Sequence, residues 1–173
     1  MGAITQEHWV CHLEGFNDAD TRLIQEVFEQ KGGWEEHGKY VKLAGFRSGH
    51  ASNRAPSRAH FFRMIKTPES VMRVLYPEPH LRGLSVTDRG GSTILVHIHA
   101  KNWDHIPPDS DFRNLRSYRV ALINHELSHV FGHDHVKCPQ GGLPADVRQQ
   151  PSKPLGGCEP NETVVLYDSA GGV

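Results

Sequence analysis

No apolar run in the chain approaches the roughly 18–20 residues that a membrane-spanning helix needs. Between Met1 and Val10 there is no basic stretch leading into an apolar one, so no signal peptide is expected in this chain. An excess of one charge is also missing. Lys and Arg number 19 against 20 Asp and Glu, a formal charge of −1, which argues for neither a nucleic-acid nor a membrane-surface partner. Repeats, low-complexity tracts and linkers are absent. One domain over 1–173 is therefore expected, with residues 1–132 as an N-terminal subdomain and 133–173 as a C-terminal one. Cysteine is scarce, at three. Cys11 alternates with Trp9 and Leu13 and reads as a buried, inert thiol. Cys138 and Cys158 bracket a Pro/Gly-rich loop. A disulfide there would stabilise by roughly 3 kcal/mol, but spacing alone leaves it and two free thiols equally open.

Histidine, in contrast, is abundant: there are 13, with 17 Gly and 11 Pro that predict many turns. Residues 8–14 alternate as a strand. Asn17 to Asp20 offer N-cap chemistry to a helix carrying Leu23, Ile24, Val27 and Phe28, which Gly32-Gly33 stops. Further strands are expected at 40–46, 60–66, 81–88 (a weak edge) and 92–100. Thr67-Pro68 opens a short helix with Pro at its first position and Val71, Val74 and Leu75 as its apolar side. Pro107 to Ser110 form a turn and a cap for a long helix from about 111 to 131. Beyond Gly132 no regular element is convincing. The fold class expected is α+β: a mixed twisted sheet, two main helices and an irregular C-terminal part.

The long helix ends in His125-Glu126-Leu127-Ser128-His129-Val130-Phe131-Gly132-His133-Asp134-His135. His125 and His129 are i and i+4, so both imidazoles leave one helix face and can share a metal. Glu126 is one residue on from His125, turned by about 100°, and can stand beside the metal without ligating it. Gly132 can take positive φ and return the chain, so that His135 becomes the third ligand. His133 is the competing third ligand, set aside because it follows the turn too closely. Three neutral imidazoles with one position open describe a catalytic Zn2+ site, with Glu126 as general base toward an activated water. The five fixed residues would arise by chance in roughly 4 in 10,000 chains of this composition. Asp134 is either an acceptor that orients a ligand imidazole or an exposed loop residue.

The pattern resembles the metzincin clan of zinc peptidases, whose motif is His-Glu-x-x-His-x-x-Gly-x-x-His. Tyr118-Arg119, Asn124, Cys138-Pro139, Pro144-Ala145, Val147, Gln149-Gln150, Gly157-Cys158 and Asn161 further resemble an actinobacterial family of uncharacterised, predicted metzincin-type domains. So does the stretch from Ile94 to Trp103. The resemblance is good over roughly 92–161 and topological before that. It implies that His125, His129 and His135 bind zinc, that Glu126 is the base and that Cys138 and Cys158 are paired. It also implies a peptide or protein substrate laid along a sheet edge, for which Leu84, Ser85, Val86 and Thr87 are the candidates. The clan's methionine beneath the metal aligns with Arg148, which either points away or alters the site. A tyrosine two positions later is replaced by Gln150. The bare start at Met1, where relatives carry an export or membrane segment, points to an extracellular or virion-associated copy with assembly partners. The alternative function is then a zinc-binding, non-catalytic component.

Two other groups of basic and histidine residues stand out. His97 and His99 share a strand face and read as a solvated or core-edge pair in preference to a second metal site with His105. A basic loop around Arg47, His50, Arg54, Arg58, His60 and Arg63 reads as solvated.

Overall fold

A computed structural model describes residues 5–45 and 58–168. Strands β1 (Glu7–Glu14), β2 (Lys39–Leu43), β3 (His60–Thr67), β4 (Val86–Asp88) and β5 (Ile94–His99) form one sheet in the order β2-β1-β3-β5-β4. All pairings are parallel except β4 with β5. The helices are α1 (Asp18–Glu29), α2 (Glu69–Leu75), α3 (Ala100–Asp104) and α4 (Leu115–Val130), with 3-10 turns at Trp34–His37 and Pro79–Leu81. This is an α+β fold. Residues Arg47, His50 and Arg54 of the basic loop lie outside the described residues.

The parallel centre of the sheet needs cover on its faces. Trp9, Cys11, Phe62, Met64, Val96 and Ile98 are buried there with Ile24, Val27 and Phe28 of α1 and the apolar residues of α4 in one core. Asn17 caps α1, its Oδ1 accepting from Asp20 N at 2.8 Å. Cys11 is fully buried, and burial pushes its thiol up, as expected of an inert cysteine.

The long helix begins later than its sequence suggested. Asn114 is the cap, Oδ1 accepting from Ser117 N at 2.9 Å. Ser110, the expected cap, is engaged elsewhere: its hydroxyl donates to Pro151 O at 2.6 Å and accepts from Phe112 N at 3.1 Å. From Val120 to Ser128 every residue of α4 is buried, so this is a central helix covered on all sides.

A second correction concerns α2. Val71, Val74 and Leu75 are exposed, at 42%, 79% and 49%, and Met72 is the residue packed inward. Pro68 is the N-cap instead of the first helical residue. That phase turns Met72 to the sheet and leaves the other three on the outer side of a seven-residue helix.

The segment Lys101-Asn102-Trp103 forms most of α3, which the sequence did not predict. Trp103 is wholly buried. Its Nε1 donates to Asp20 Oδ2 at 2.9 Å, and Arg119 lies over its ring while donating from Nε to its carbonyl at 2.8 Å. One tryptophan thus ties α1, α3 and α4 together, and Trp34 joins the 3-10 turn to α4, donating to Asn124 O at 3.1 Å.

From Phe131 to Tyr167 the chain forms no helix or strand; a lone bridge joins Pro144 and Glu159. Cys138 and Cys158 form a disulfide across this part. Closing a loop of separation 20 contributes roughly 3 kcal/mol by chain entropy. Replacing both cysteines with serine is expected to lower the unfolding free energy in urea by that amount. Among the described residues no helix is long and apolar enough to cross a membrane.

Candidate metal centre

The last two turns of α4 bring His125 and His129 together, and the turn at Gly132 (φ 92°) brings His135 back to them. Nε2 of His129 lies 3.2 Å from Nε2 of His125 and 3.0 Å from Nε2 of His135. The three form the one such cluster among the described residues. His97, His99 and His105 do not assemble into a second. His97 Nδ1 lies 2.8 Å from Thr67 Oγ1 and His99 is buried, so the pair belongs to the edge of the core.

The chemistry of the donors shows that a cation fits. Nδ1 of His125 donates to Val147 O and Nδ1 of His129 donates to His133 O, each at 2.9 Å. In the neutral rings both Nε2 atoms are then bare lone pairs, and bare lone pairs this close repel unless something positive lies between them. A tetrahedral zinc with Zn–N of about 2.05 Å holds its ligand nitrogens about 3.3 Å apart, close to the spacing present. Burial, then the neighbouring His129, pushes His125 well below its ordinary pKa, and the same causes push His135 down to about 4. Neutral imidazole, the ligand form, is thereby favoured.

The orienting groups differ from those expected. Asp134 is exposed and its side chain makes no hydrogen bond among the described residues, so it is the loop residue and not the acceptor. The backbone carbonyls of Val147 and His133 do that work. His133 itself stacks on Trp34, ring centroids 5.8 Å apart; its imidazole is outside the cluster and its carbonyl serves the cluster. The Gln150 amide nitrogen lies 3.0 Å from His135 Nδ1 and 3.1 Å from its Nε2, so the amide rests against the ring of the third histidine.

Arg148 points away from the histidines. Its Nε and Nη2 donate to Asp146 Oδ1 and Oδ2 at 2.9 and 2.7 Å, and Nη2 also donates to Tyr167 O at 3.1 Å. Asp146 accepts as well from the backbone N–H of Arg148 and of Tyr167, both at 2.9 Å. Burial opposes ionisation of Asp146, but these donors win and hold its carboxyl below the ordinary aspartate range. The pair flanks Val147, so it fixes the carbonyl that orients His125. No motif pointed to Asp146; a carboxylate two residues before an arginine in an irregular segment has no periodic signal.

Glu126 is buried and lines the same cleft as the three histidines. Burial raises its pKa, opposed by His129 and by a hydrogen bond from Thr87 Oγ1 to Oε2 at 2.6 Å. The cleft holds about 460 Å³, and the segment from Leu84 to Thr87 lines it together with Arg89. Only Val86 and Thr87 of the four expected residues lie in the edge strand. Leu84 and Ser85 precede it, because the hydroxyl of Ser85 accepts from His99 N at 2.9 Å, where a strand would offer a carbonyl. Tyr118 and Ser152, joined at 2.7 Å, were not foreseen as neighbours of the site; Ser152 also lines the cleft.

Residues 86–163 match a family model described as "Protein of unknown function (DUF3152)". The matched stretch runs from the edge strand through α4 and the three histidines to the loop closed by the disulfide. No curated protein and no solved structure matches the chain.

Proposed function

We propose that this chain is a zinc-dependent endopeptidase of metzincin type. The observation that carries the reading is the convergence of three Nε2 atoms beside a buried glutamate, in a cleft that a sheet edge also lines. His125, His129 and His135 would hold the ion. When bound, zinc supplies a Lewis acid and brings the pKa of water to about 7. Glu126 accepts the proton of the attacking water and delivers it to the leaving amine. The outer edge of β4 has no strand partner among the described residues, and an extended peptide would add there as a further strand. The disulfide fits an oxidising compartment as the place of action.

The test is incubation of the zinc-loaded protein with denatured casein and a broad peptide library, with and without a chelator. Cleavage that stops with chelator and returns with added zinc is the expected result. A fully zinc-loaded protein that cleaves nothing in such a library would overturn the reading, in favour of a zinc-holding assembly component.

A further inference from the structure

The carboxylate of Glu126 does not stand alone in its wall of the cleft. Thr87 is the middle residue of β4 and lies opposite Val96 of β5, whose side chain is fully buried. Residues opposite one another across an antiparallel pair share a face, so Thr87 projects toward α4. There its hydroxyl donates to Glu126 Oε2 at 2.6 Å, the length of a charge-assisted O–H···O⁻ bond.

We propose that Thr87 is a positioning residue for Glu126, an inference that rests on the peptidase reading above. A glutamate's terminal torsion is broad and roughly two-fold, so a buried carboxylate without a fixed donor has two equivalent oxygens in exchange. The Thr87 hydroxyl occupies Oε2 and leaves Oε1 as the oxygen that meets water. The bond also joins the base to the strand on which peptide would be laid. Occupancy of that edge is therefore felt at Glu126 through a single residue. The hydroxyl of Thr87 has Glu126 as its partner and none of the three histidines, so it acts through the base.

Valine keeps the shape of threonine and removes the hydroxyl; serine keeps the hydroxyl. In Thr87→Val, kcat is expected to fall about 10- to 100-fold with KM within about twofold, while the zinc content stays equal to wild type. Thr87→Ser is expected to stay within about threefold of wild type. A kcat for Thr87→Val within about twofold of wild type would overturn the proposal. A second readout needs no activity and separates this inference from the peptidase reading. Amide hydrogen exchange at residues 86–88 of the zinc-loaded protein is expected to quicken in Thr87→Val and in Glu126→Ala, and no further in the double variant. Additive acceleration would show that Thr87 acts on β4 independently of Glu126, and would sink the proposal even if the protein proves to be a peptidase.

Discussion

Replacing Glu126 with alanine is expected to lower peptide hydrolysis by about 10²- to 10⁴-fold, the usual contribution of a positioned general base, with zinc content unchanged. The two halves of this result have different structural causes. The ion would be held by nitrogens of His125, His129 and His135, and none of their orienting hydrogen bonds involves Glu126. The base lies on the same helix but about 100° round from His125, in the wall shared with β4. Removing its carboxylate therefore takes away the proton acceptor and leaves the ligand set intact. The measurement is kcat/KM on a peptide found by library cleavage, beside zinc content by elemental analysis. Hydrolysis at the wild-type rate by Glu126→Ala would remove this residue from the mechanism.

The largest effect on stability is expected at Asp146. Its side chain is fully buried and takes four hydrogen bonds, two from the Arg148 guanidinium and two from backbone N–H groups. Asp146→Ala strands a largely buried guanidinium, and the cost of breaking such a pair by removing one partner is about 3–5 kcal/mol. Urea unfolding at neutral pH measures it. The pH dependence follows from the depressed carboxyl pKa. A group with a folded pKa below its unfolded one, about 3.9 for aspartate, stabilises fully above the unfolded value. Its contribution is lost as pH falls through the folded value. The gap in Tm between wild type and Asp146→Ala is thus expected to hold through neutral and mildly acid pH and to close below about pH 3.9. A gap that stays constant down to pH 2 would show that packing, not charge, made the difference. Because Val147 lies between the paired residues and its carbonyl orients His125, the variant is also expected to bind zinc more weakly.

Arg148 shows why local sequence could not resolve this part of the site. At the position of an expected apolar residue beneath the metal, an arginine admits two outcomes: a charge intruding on the ion, or a side chain turned away. Only its partner decides between them, and Asp146 becomes that partner through the path of a segment with no periodicity. Residues 138–160 take their shape from single contacts such as Ala145 N to Glu159 O, Gln149 Nε2 to Leu155 O and the disulfide. Such contacts leave no pattern of period 2 or 3.6 in the chain.

The three-histidine cluster, by contrast, was legible, because helical geometry alone forces His125 and His129 onto one face and one glycine permits the return of His135. The mixed sheet and α1 were legible because their apolar patterns are local properties of the chain, and α4 because one uninterrupted helix-forming stretch ends at Gly132. Tertiary structure alone decided how the site is completed. It set His133 against Trp34 and not the ion, gave the orienting role to two carbonyls in place of Asp134, and turned Arg148 onto Asp146. It also brought Thr87 of β4 onto Glu126 of α4. Each of these joins residues whose meeting depends on how elements pack, and packing is written in no single stretch of sequence.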